Sequence, residues 1–589
     1  MPPMTNQQIA RVFEEIAALL QIKGENPFKV RAYENAVEVI NALTESLAEI
    51  RRREDLDQIP GIGKSIAQKI VELLDTGGLK YHADLLGEFP PTLLELLQIS
   101  EVGPRTVQRL HREMGIASIE ALEQAAQEGK LRELKGFGAK TEQNILRAIE
   151  RLRARREARL PLAVAHPVAM RIVEEMRSRA PVDQITPAGS LRRMKETIGD
   201  IDILVTSSEI PAVMEAFATL PQAAQVLAKG PTKTSILTDA GLQVDLRALQ
   251  PESFGAALQY FTGSKAHNIK LRERGQRRGL KMSEYGIFET KGNTRIGGAT
   301  EEEMYAPFGI QPMPPEMRED TGEIEAALKG TLPVVVSVED IKGDLHVHSQ
   351  YSDGRRSIEE MVRAAKARGY KYVGIGDHSK GRGIANGLDE KRLAQQIKEV
   401  RALDDRVKGI RILIGSEVDI RRDGTLDFDE ETLAQLDFCV ASVHSAFHLN
   451  ADLQTERIIK AMQNPYMDIL GHPTGRIIGQ RDPYDLDMER VIQAAAELGV
   501  ALEINSFPDR LDLKDVHARR AIEVGATIAI NTDSHDLEHL DLIQYGVATA
   551  RRAWVEAKHV LNARPLREML AALRRNNAGG RAKGRRRAG

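Results

Sequence analysis

The feature that most constrains this 589-residue chain is a series of histidines and carboxylates in its second half, each placed where an apolar segment ends. In Gly343-Asp344-Leu345-His346-Val347-His348 the two histidines lie two residues apart, hence on one face of an extended segment. Asp353 follows in YSDG. Asp377-His378 closes YVGIG, Glu417 closes RILIGSE, His444 closes FCVASVH, His472 closes YMDILGH, and Asp533 with His535 closes TIAINTDSH. Regular strand–helix alternation from Lys342 onward predicts a parallel sheet or barrel. In a β/α barrel the C-terminal strand ends converge on one mouth, where active sites sit. A lone histidine after a strand is usually a surface or core histidine. Here six of the 14 histidines share that position, which is improbable by coincidence. Imidazole and carboxylate together suit Zn2+, Mn2+ or Fe. The nine candidates are too many for one ion and the right number for three.

The first half is organised differently. Residues 5–50 read as amphipathic helices, and then one unit recurs three times: Gln58-Ile-Pro-Gly61-Ile-Gly63, Ile99-Ser-Glu-Val-Gly103-Pro104 and Leu134-Lys-Gly136-Phe-Gly138. Each copy precedes a helical run, KSIAQKIVELL, RTVQRLHREMG or AKTEQNILRAI. Glycine permits the tight turn, and the N–H groups that open the next helix can hold a phosphate. One such turn is weak evidence; three, each leading into a helix, resemble the helix-hairpin-helix motif, which grips DNA backbone without reading sequence.

Net charge is only −3, so any nucleic-acid surface must be local. Residues 151–159 hold five arginines, 272–281 five basic groups, and the tail from Arg581 to Arg587 is basic and without apolar pattern. The tail alone is best read as a solvated end. Hydrophobic residues make up 42% and charged residues 28%, ordinary for a globular chain of several domains. The single cysteine, Cys439, leaves no intrachain disulfide to form. No apolar run approaches membrane-spanning length and MPPMTNQQIARVFEEI has no signal-peptide pattern, so a cytoplasmic monomer is expected.

Residues 160–330 alternate short strands (Ile201–Val205, Ser235–Leu237, Val244–Leu249) with helices. Gly189-Ser190 is followed ten residues later by Asp200-Ile-Asp202, whose carboxylates share a strand face. Asp245 in QVDLRAL adds a third carboxylate. Such a set can hold two Mg2+ or Mn2+ ions, which prefer oxygen, and two ions can activate a 3′-hydroxyl and steady departing pyrophosphate. A DxD alone is more often a solvated turn; its neighbours change the weighting.

GSLRR (189–193), GDIDILV, VDLR and Tyr260-Phe-Thr-Gly-Ser264, the last followed by Lys-Ala-His-Asn268 and a basic helix, occur in the order of the family X DNA polymerases, which this chain resembles over about residues 5–315. The resemblance implies that Asp200, Asp202 and Asp245 are catalytic metal ligands with Arg247 beside them. Gly189, Ser190 and Arg193 would hold the triphosphate, and Tyr260, Phe261 and Gly263 the sugar of an incoming dNTP. Asn268 would touch the minor-groove edge of the new pair, Arg272 the template side, and Gly61, Gly63, Gly103, Gly136 and Gly138 the DNA backbone. Some family members use a lysine at the position of Lys69 as a Schiff-base nucleophile against 5′-deoxyribose phosphate, and Lys29 and Tyr33 fit the same pocket. Phe28, Asp57, Ser65 and Tyr81 depart from the family's basic 5′-phosphate contacts, and a lysine gripping backbone phosphate explains Lys69 about as well.

The back-half series His346, His348, Asp353, His378, Glu417, His444, His472, Asp533 and His535 resembles the PHP (polymerase and histidinol phosphatase) domain, which implies a distorted (β/α)7 barrel with a trinuclear centre hydrolysing phosphate esters. Glu417 is the natural bridging ligand, and Asp377 supports rather than ligates. The expected fold class is multidomain α+β and α/β. Its parts are an N-terminal helical DNA-binding domain (1–85), a helix-hairpin-helix domain (86–160), a nucleotidyltransferase palm with fingers- and thumb-type helices (161–315), a proline-marked linker (316–341), the PHP domain (342–575) and the basic tail (576–589). The combination implies gap filling on gapped or nicked double-stranded DNA with dNTPs, in base-excision or end-joining repair. It also implies 3′-end trimming, with cleavage at abasic sites or removal of 3′ phosphates as further options. The rivals are a polymerase fused to a small-molecule phosphatase and a non-catalytic DNA-end scaffold.

Overall fold

The computed structural model describes residues 4, 6–42, 47–52, 56–59, 61–90, 92–99, 102–134, 136–157 and 159–574; the basic tail, and the side chains of 151–158 in the first basic run, lie outside the described ones. The chain forms two compact units, Met1–Ala158 and Arg159–Gly589.

In the first unit the three glycine repeats close with the same backbone bond. Ile62 N donates to Ile59 O, Val102 N to Ile99 O and Phe137 N to Leu134 O, each at 2.9 Å. Ile62, Ile99, Val102 and Leu134 are buried, so each turn is pinned by apolar side chains at its ends. A short 3-10 segment precedes each turn (Leu56–Gln58, Leu93–Gln98, Lys130–Glu133), and a helix follows (Lys64–Thr76, Pro104–Met114, Ala139–Glu157). Gly61 and Gly136 sit at φ +92 and +90, where a Cβ is strained. The second copy carries Glu101 at the equivalent position. Helices Asn6–Lys23 and Pro27–Ala42 complete the first of the two apolar cores of this unit.

The second unit opens with helix Leu162–Arg179 on a five-stranded sheet. Its strands are β1 (Gln184–Pro187), β2 (Asp200–Thr206), β3 (Ala223–Lys229), β4 (Lys233–Thr238) and β5 (Gln243–Leu249), in the order β1-β2-β5-β4-β3. Only β2 and β5 are parallel, in a register that pairs Asp202 with Asp245. Helices Phe254–Thr262 and Lys265–Arg277 lead into a three-stranded antiparallel sheet (Leu280–Ser283, Gly286–Glu289, Arg295–Gly297) with its own core.

The prolines at 306–340 predict a linker over 316–341, but this stretch is packed. It holds helix Glu323–Lys329, and Arg318, Glu323, Ile324 and Val336 are buried. The prolines set short turns, while Arg318 meets Glu301 at 2.6 Å and Glu323 meets His267 at 2.7 Å, tying the segment back to the thumb-type helices.

From Gly343 the strands are all parallel: β6 (Gly343–Val347), β7 (Tyr372–Ile375), β8 (Arg411–Ile414) running on into β9 (Glu417–Asp419), β10 (Val440–Ser442), β11 (Ile469–Leu470), β12 (Ala501–Asn505) and β13 (Ile528–Asn531). Bridges His378–Glu417 and Val347–Ser534 close the ring, and because β8 and β9 are one interrupted strand, it is a seven-stranded distorted barrel. These strands are buried on both faces, hence their mainly apolar residues, interrupted by the polar groups Asp344, His346, Glu503, Asn505 and Asn531. Among the described residues no helix is long and apolar enough to cross a membrane.

Candidate active sites

The first site forms where β2 and β5 run side by side. Asp200 and Asp202 face the same way along β2, and the register brings Asp245 alongside. Arg247 spans the gap, with Nε 3.6 Å from Asp202 Oδ1 and a terminal nitrogen 3.9 Å from Asp245 Oδ2; Lys233 Nζ lies 2.7 Å from Asp245 Oδ2. Burial, then the neighbouring charge of Asp200, pushes the Asp202 carboxyl up to about 6 against the pull of Arg247. At Asp245 burial is overcome by hydrogen bonds from Lys233, Gln243 and Ser235, and its pKa is lowered. Three crowded carboxylates, one with its pKa raised by its neighbours and burial, are a donor set that suits divalent cations of the Mg2+ or Mn2+ kind.

Around them, Gly189 sits at φ +66, and a Cβ there would lie 3.6 Å from Asp202 Oδ2, so backbone can approach the carboxylates. Ser190 follows at the start of the one-turn helix Gly189–Arg192. Arg193 donates to the carbonyl of Thr262 and, through Nε, to Glu319 at 2.8 Å. Gly263 packs against that guanidinium, where a Cβ would come within 3.1 Å of it. The Arg247 guanidinium lies 4.5 Å above the Phe261 ring, which meets Tyr260 edge-on. Asn268 is buried and internally bonded, accepting from Gln259 and donating to the Tyr260 carbonyl, each at 2.6 Å. Arg272, exposed, donates to the Asn268 carbonyl at 3.4 Å. These residues lie in one unit, while the hairpin glycines and Lys69, expected to hold DNA or act on a 5′ end, lie in the other.

In that unit Lys69 Nζ donates to Ser65 Oγ at 2.9 Å and stands 5.4 Å from the centre of the Tyr81 ring, beneath which Tyr33 stacks; Lys29 lies 5.3 Å from the same ring. Burial, and then Lys29, lower the Lys69 pKa.

The second site lies at the C-terminal ends of the barrel strands and gathers all nine expected ligands. Glu417 is its hub. Its carboxylate is 2.8 Å from His378 Nδ1, 2.9 Å from His472 Nε2, 3.2 Å from His444 Nε2, 3.4 Å from His346 Nε2 and 3.8 Å from His348 Nε2. Asp533 lies 3.0 Å from His348 Nε2 and 3.6 Å from His346 Nε2, and Asp353 3.2 Å from His535 Nε2 and 3.5 Å from His378 Nε2. Three overlapping groups have ligand atoms within 4.8 Å of one another: His348, Asp353, His378 and His535; His346, His348 and Asp533; and His378, Glu417 and His444. His472 joins them through Glu417.

Supporting residues orient the imidazoles, as metal ligands require. Glu503 holds His346 Nδ1 at 2.8 Å and also accepts from the His472 N–H; Asp419 holds His444 Nδ1 at 2.5 Å. Sequence reasoning passed over both, although each is a carboxylate inside an apolar strand (ALEIN, SEVD), a costly placement that signals a role. The Asp377 carboxylate accepts from Ser349, Ser352 and Gln396 and so folds the loop that carries Asp353.

Buried charge is finely divided here. Burial and then its imidazole neighbours push His348 down to about 4. At His378 burial is outweighed by Glu417 and Asp353, and its pKa rises to about 10. Glu417 and Asp533 are held well below the usual carboxylate range by the imidazoles, against the opposing effect of burial. His348 Nδ1 and His472 Nδ1 are buried with no hydrogen-bond partner. Such orphaned nitrogens are costly unless they ligate, and so the residues present fit metal ions.

Profiles of known families match along the chain: a helix-hairpin-helix domain at 4–79, a SAM-like helix-hairpin-helix tandem at 93–151, the DNA polymerase beta thumb at 257–319 and the PHP domain at 344–507. A protein of Bacillus subtilis (strain 168) named "DNA polymerase/3'-5' exonuclease PolX" is 39% identical over 576 residues, covering 98% of this chain and 100% of that protein. A Thermoanaerobacter sp. (strain X514) protein whose name calls it a phosphatase is 32% identical over 231 residues, 37% of this chain and 89% of its own length. With near-complete coverage by the first of these and both end domains matched, the chain belongs to the PolX family of family X polymerases that carry a PHP domain.

Proposed function

We propose that this chain is a DNA-directed DNA polymerase and a 3′–5′ exonuclease, with the two activities at the two sites described. The observation that carries the reading is that both ligand sets are complete within one compact body: Asp200, Asp202 and Asp245 on paired strands, and nine His, Asp and Glu side chains at one barrel mouth. A scaffold without catalysis needs neither.

At the first site two Mg2+ or Mn2+ ions supply charge neutralisation and activation of the primer 3′-hydroxyl when bound. Asp200, Asp202 and Asp245 hold them. Arg247 keeps Asp202 and Asp245 aligned. The backbone at Gly189–Ser190 and the Arg193 guanidinium receive the triphosphate, and the Tyr260–Phe261–Gly263 turn packs against the sugar. Asn268 aligns that turn through the Tyr260 carbonyl, and Arg272 faces the template. At the second site the nine ligands hold up to three Zn2+, Mn2+ or Fe ions, which supply an activated water and neutralise phosphate charge. Glu417 would be among the residues that hold them, while Glu503 and Asp419 fix which nitrogen of His346 and His444 is left to donate. The glycine hairpins at Gly61–Gly63, Gly103 and Gly136–Gly138 hold duplex backbone by N–H groups. The division 1–85, 86–160, 161–315, 316–341 and 342–575 follows these roles, with 316–341 acting as a packed strut. Gapped or nicked repair intermediates with dNTPs are the natural substrates.

The test follows a labelled primer on a one-nucleotide-gapped duplex with Mn2+. Extension with dNTPs and shortening without them is the expected result; extension alone would move the barrel site to another phosphoester. The phosphatase-named relatives favour 3′-phosphate ends as that second reading.

A further inference from the structure

Three arginines stand at the barrel mouth, each on a loop that follows a ligand-bearing or ligand-supporting strand. Arg382 follows His378 in the loop after β7, Arg481 follows His472 in the loop after β11, and Arg510 lies in the loop after β12. Arg510 Nε is 3.8 Å from Asp533 Oδ2, and one of its terminal nitrogens is buried without a hydrogen-bond partner. Arg382 Nε is buried and unpartnered in the same way. The Arg481 guanidinium lies 4.6 Å over the Phe447 ring, itself stacked on Tyr484, and Nε donates to the Gly475 carbonyl at 2.8 Å. Among the described residues neither Arg382 nor Arg481 forms an ion pair. The Arg481 pKa is lowered by burial and then by the charges of Arg510 and Arg382, so the three cations feel one another.

The charge of these half-buried arginines is only partly balanced, by Asp533 at Arg510 and by Asp512 near Arg481, so a further anion at this mouth is favoured. A small phosphate monoester brings a single anionic group. Three arginines on three separate loops match a ligand with phosphates in series, and a half-buried ring beside one of them matches the stacking that single strands use. We propose that Arg382, Arg481 and Arg510 grip successive phosphates of the DNA strand whose 3′ end enters the barrel. Arg510, which touches a ligand carboxylate, takes the scissile phosphate; Arg382 and the Arg481–Phe447 platform take the nucleotides upstream. The arginines thereby select a polynucleotide over a monoester. This assignment rests on the exonuclease reading of the same site.

The test uses the full chain carrying Asp200→Ala and Asp202→Ala to silence extension, and follows 3′ shortening of oligothymidylates from dinucleotide to hexanucleotide over a range of salt. In the parent, KM falls as the oligonucleotide lengthens and rises with salt. With Arg382→Gln and Arg481→Gln together, KM becomes nearly independent of length, and the slope of log KM against log salt drops by about 1.4, at ~0.7 per lost phosphate contact on a single strand. Arg382→Lys with Arg481→Lys, which keeps the charges, retains the slope. Unchanged length and salt dependence in the Gln variant overturns the assignment. So does a loss that merely parallels lower bound-metal content or a lower unfolding temperature, since that marks a structural role. A parent protein that leaves every 3′ end intact defeats the exonuclease reading itself, before any arginine variant is compared.

Discussion

At the residue scale the most informative group outside the two catalytic sets is Glu301. Its carboxylate accepts from Arg192 at 2.7 and 2.9 Å and from the fully buried Arg318 at 2.6 Å. Burial opposes its ionisation, yet the two arginines bring its pKa down to about 2. A carboxylate depressed in the folded state stabilises above its unfolded pKa near 4.5, and that contribution is lost as pH falls toward 2. The shift corresponds to about 3 kcal/mol for a group this enclosed. Glu301→Gln is therefore expected to lower the unfolding temperature clearly at pH 7 and much less near pH 2.5, where most of the carboxylate's contribution has already gone; calorimetry across that range checks it. An equal deficit at both pH values would assign the cost to packing. Asp200 and Asp202 make a sharper case: on the proposed two-site reading, Asp200→Ala with Asp202→Ala is expected to abolish primer extension and leave 3′ trimming, and His346→Ala to do the reverse. One change that removed both activities from a folded protein would refute the two-site reading.

At the element scale the glycine hairpins show how a turn is paid for in side-chain space. Gly61 is at φ +92, and a Cβ there would come within 2.8 Å of Val39 Cγ2. Gly61→Ala meets both a strained backbone and a clash, so a loss of about 1–3 kcal/mol is expected, with weaker binding to gapped duplex; fluorescence anisotropy at two salt concentrations measures the latter. Gly136→Ala shares the strain without the clash, since nothing lies within 4 Å of its Cβ position, and should cost less. The hairpins were legible in the sequence because turn chemistry is local. The barrel ligands were legible for the same reason: each follows an apolar run, and parallel strands deliver their ends to one mouth. What sequence left open was held by distance. Glu503 and Asp419 meet His346 and His444 from other strands, and Glu319 reaches Arg193 across 126 positions. The stretch 316–341 looked like a linker because prolines announce turns but not the buried Arg318 and Glu323 that dock it.

At the scale of the second unit, the two sites share a seam, and the seam grips a segment of the polymerase site. Arg552, almost wholly buried, pairs with Asp515 at 2.6 Å and donates to the carbonyls of Arg193 and Met194, each at 2.8 Å. Arg476 pairs with Glu196 at 2.6 Å and donates to the carbonyls of Arg510 and Leu511 at the barrel mouth. Leu511 and Tyr545 of the barrel half are counted in the palm's own apolar core, and His166 Nδ1 meets the Tyr545 hydroxyl at 3.1 Å. Met194 is held at φ +51, a conformation that a loose loop would not keep. The turn that carries Gly189, Ser190 and Arg193 is thus braced from the barrel side by two arginines, of which only Arg476 also touches the barrel mouth. That asymmetry makes the pair diagnostic. Arg552→Ala removes two carbonyl contacts behind Arg193 without touching a barrel ligand, so KM for dNTP should rise by roughly tenfold, the equivalent of about 1.4 kcal/mol, with 3′ trimming unaltered. Arg476→Ala should raise the same KM and also slow trimming, because the Arg510–Leu511 backbone loses its brace. Steady-state extension and single-strand trimming, measured on both variants with metal content held equal, separate the cases. Two variants that impair extension alone would mean that the seam supports the palm and carries nothing to the barrel.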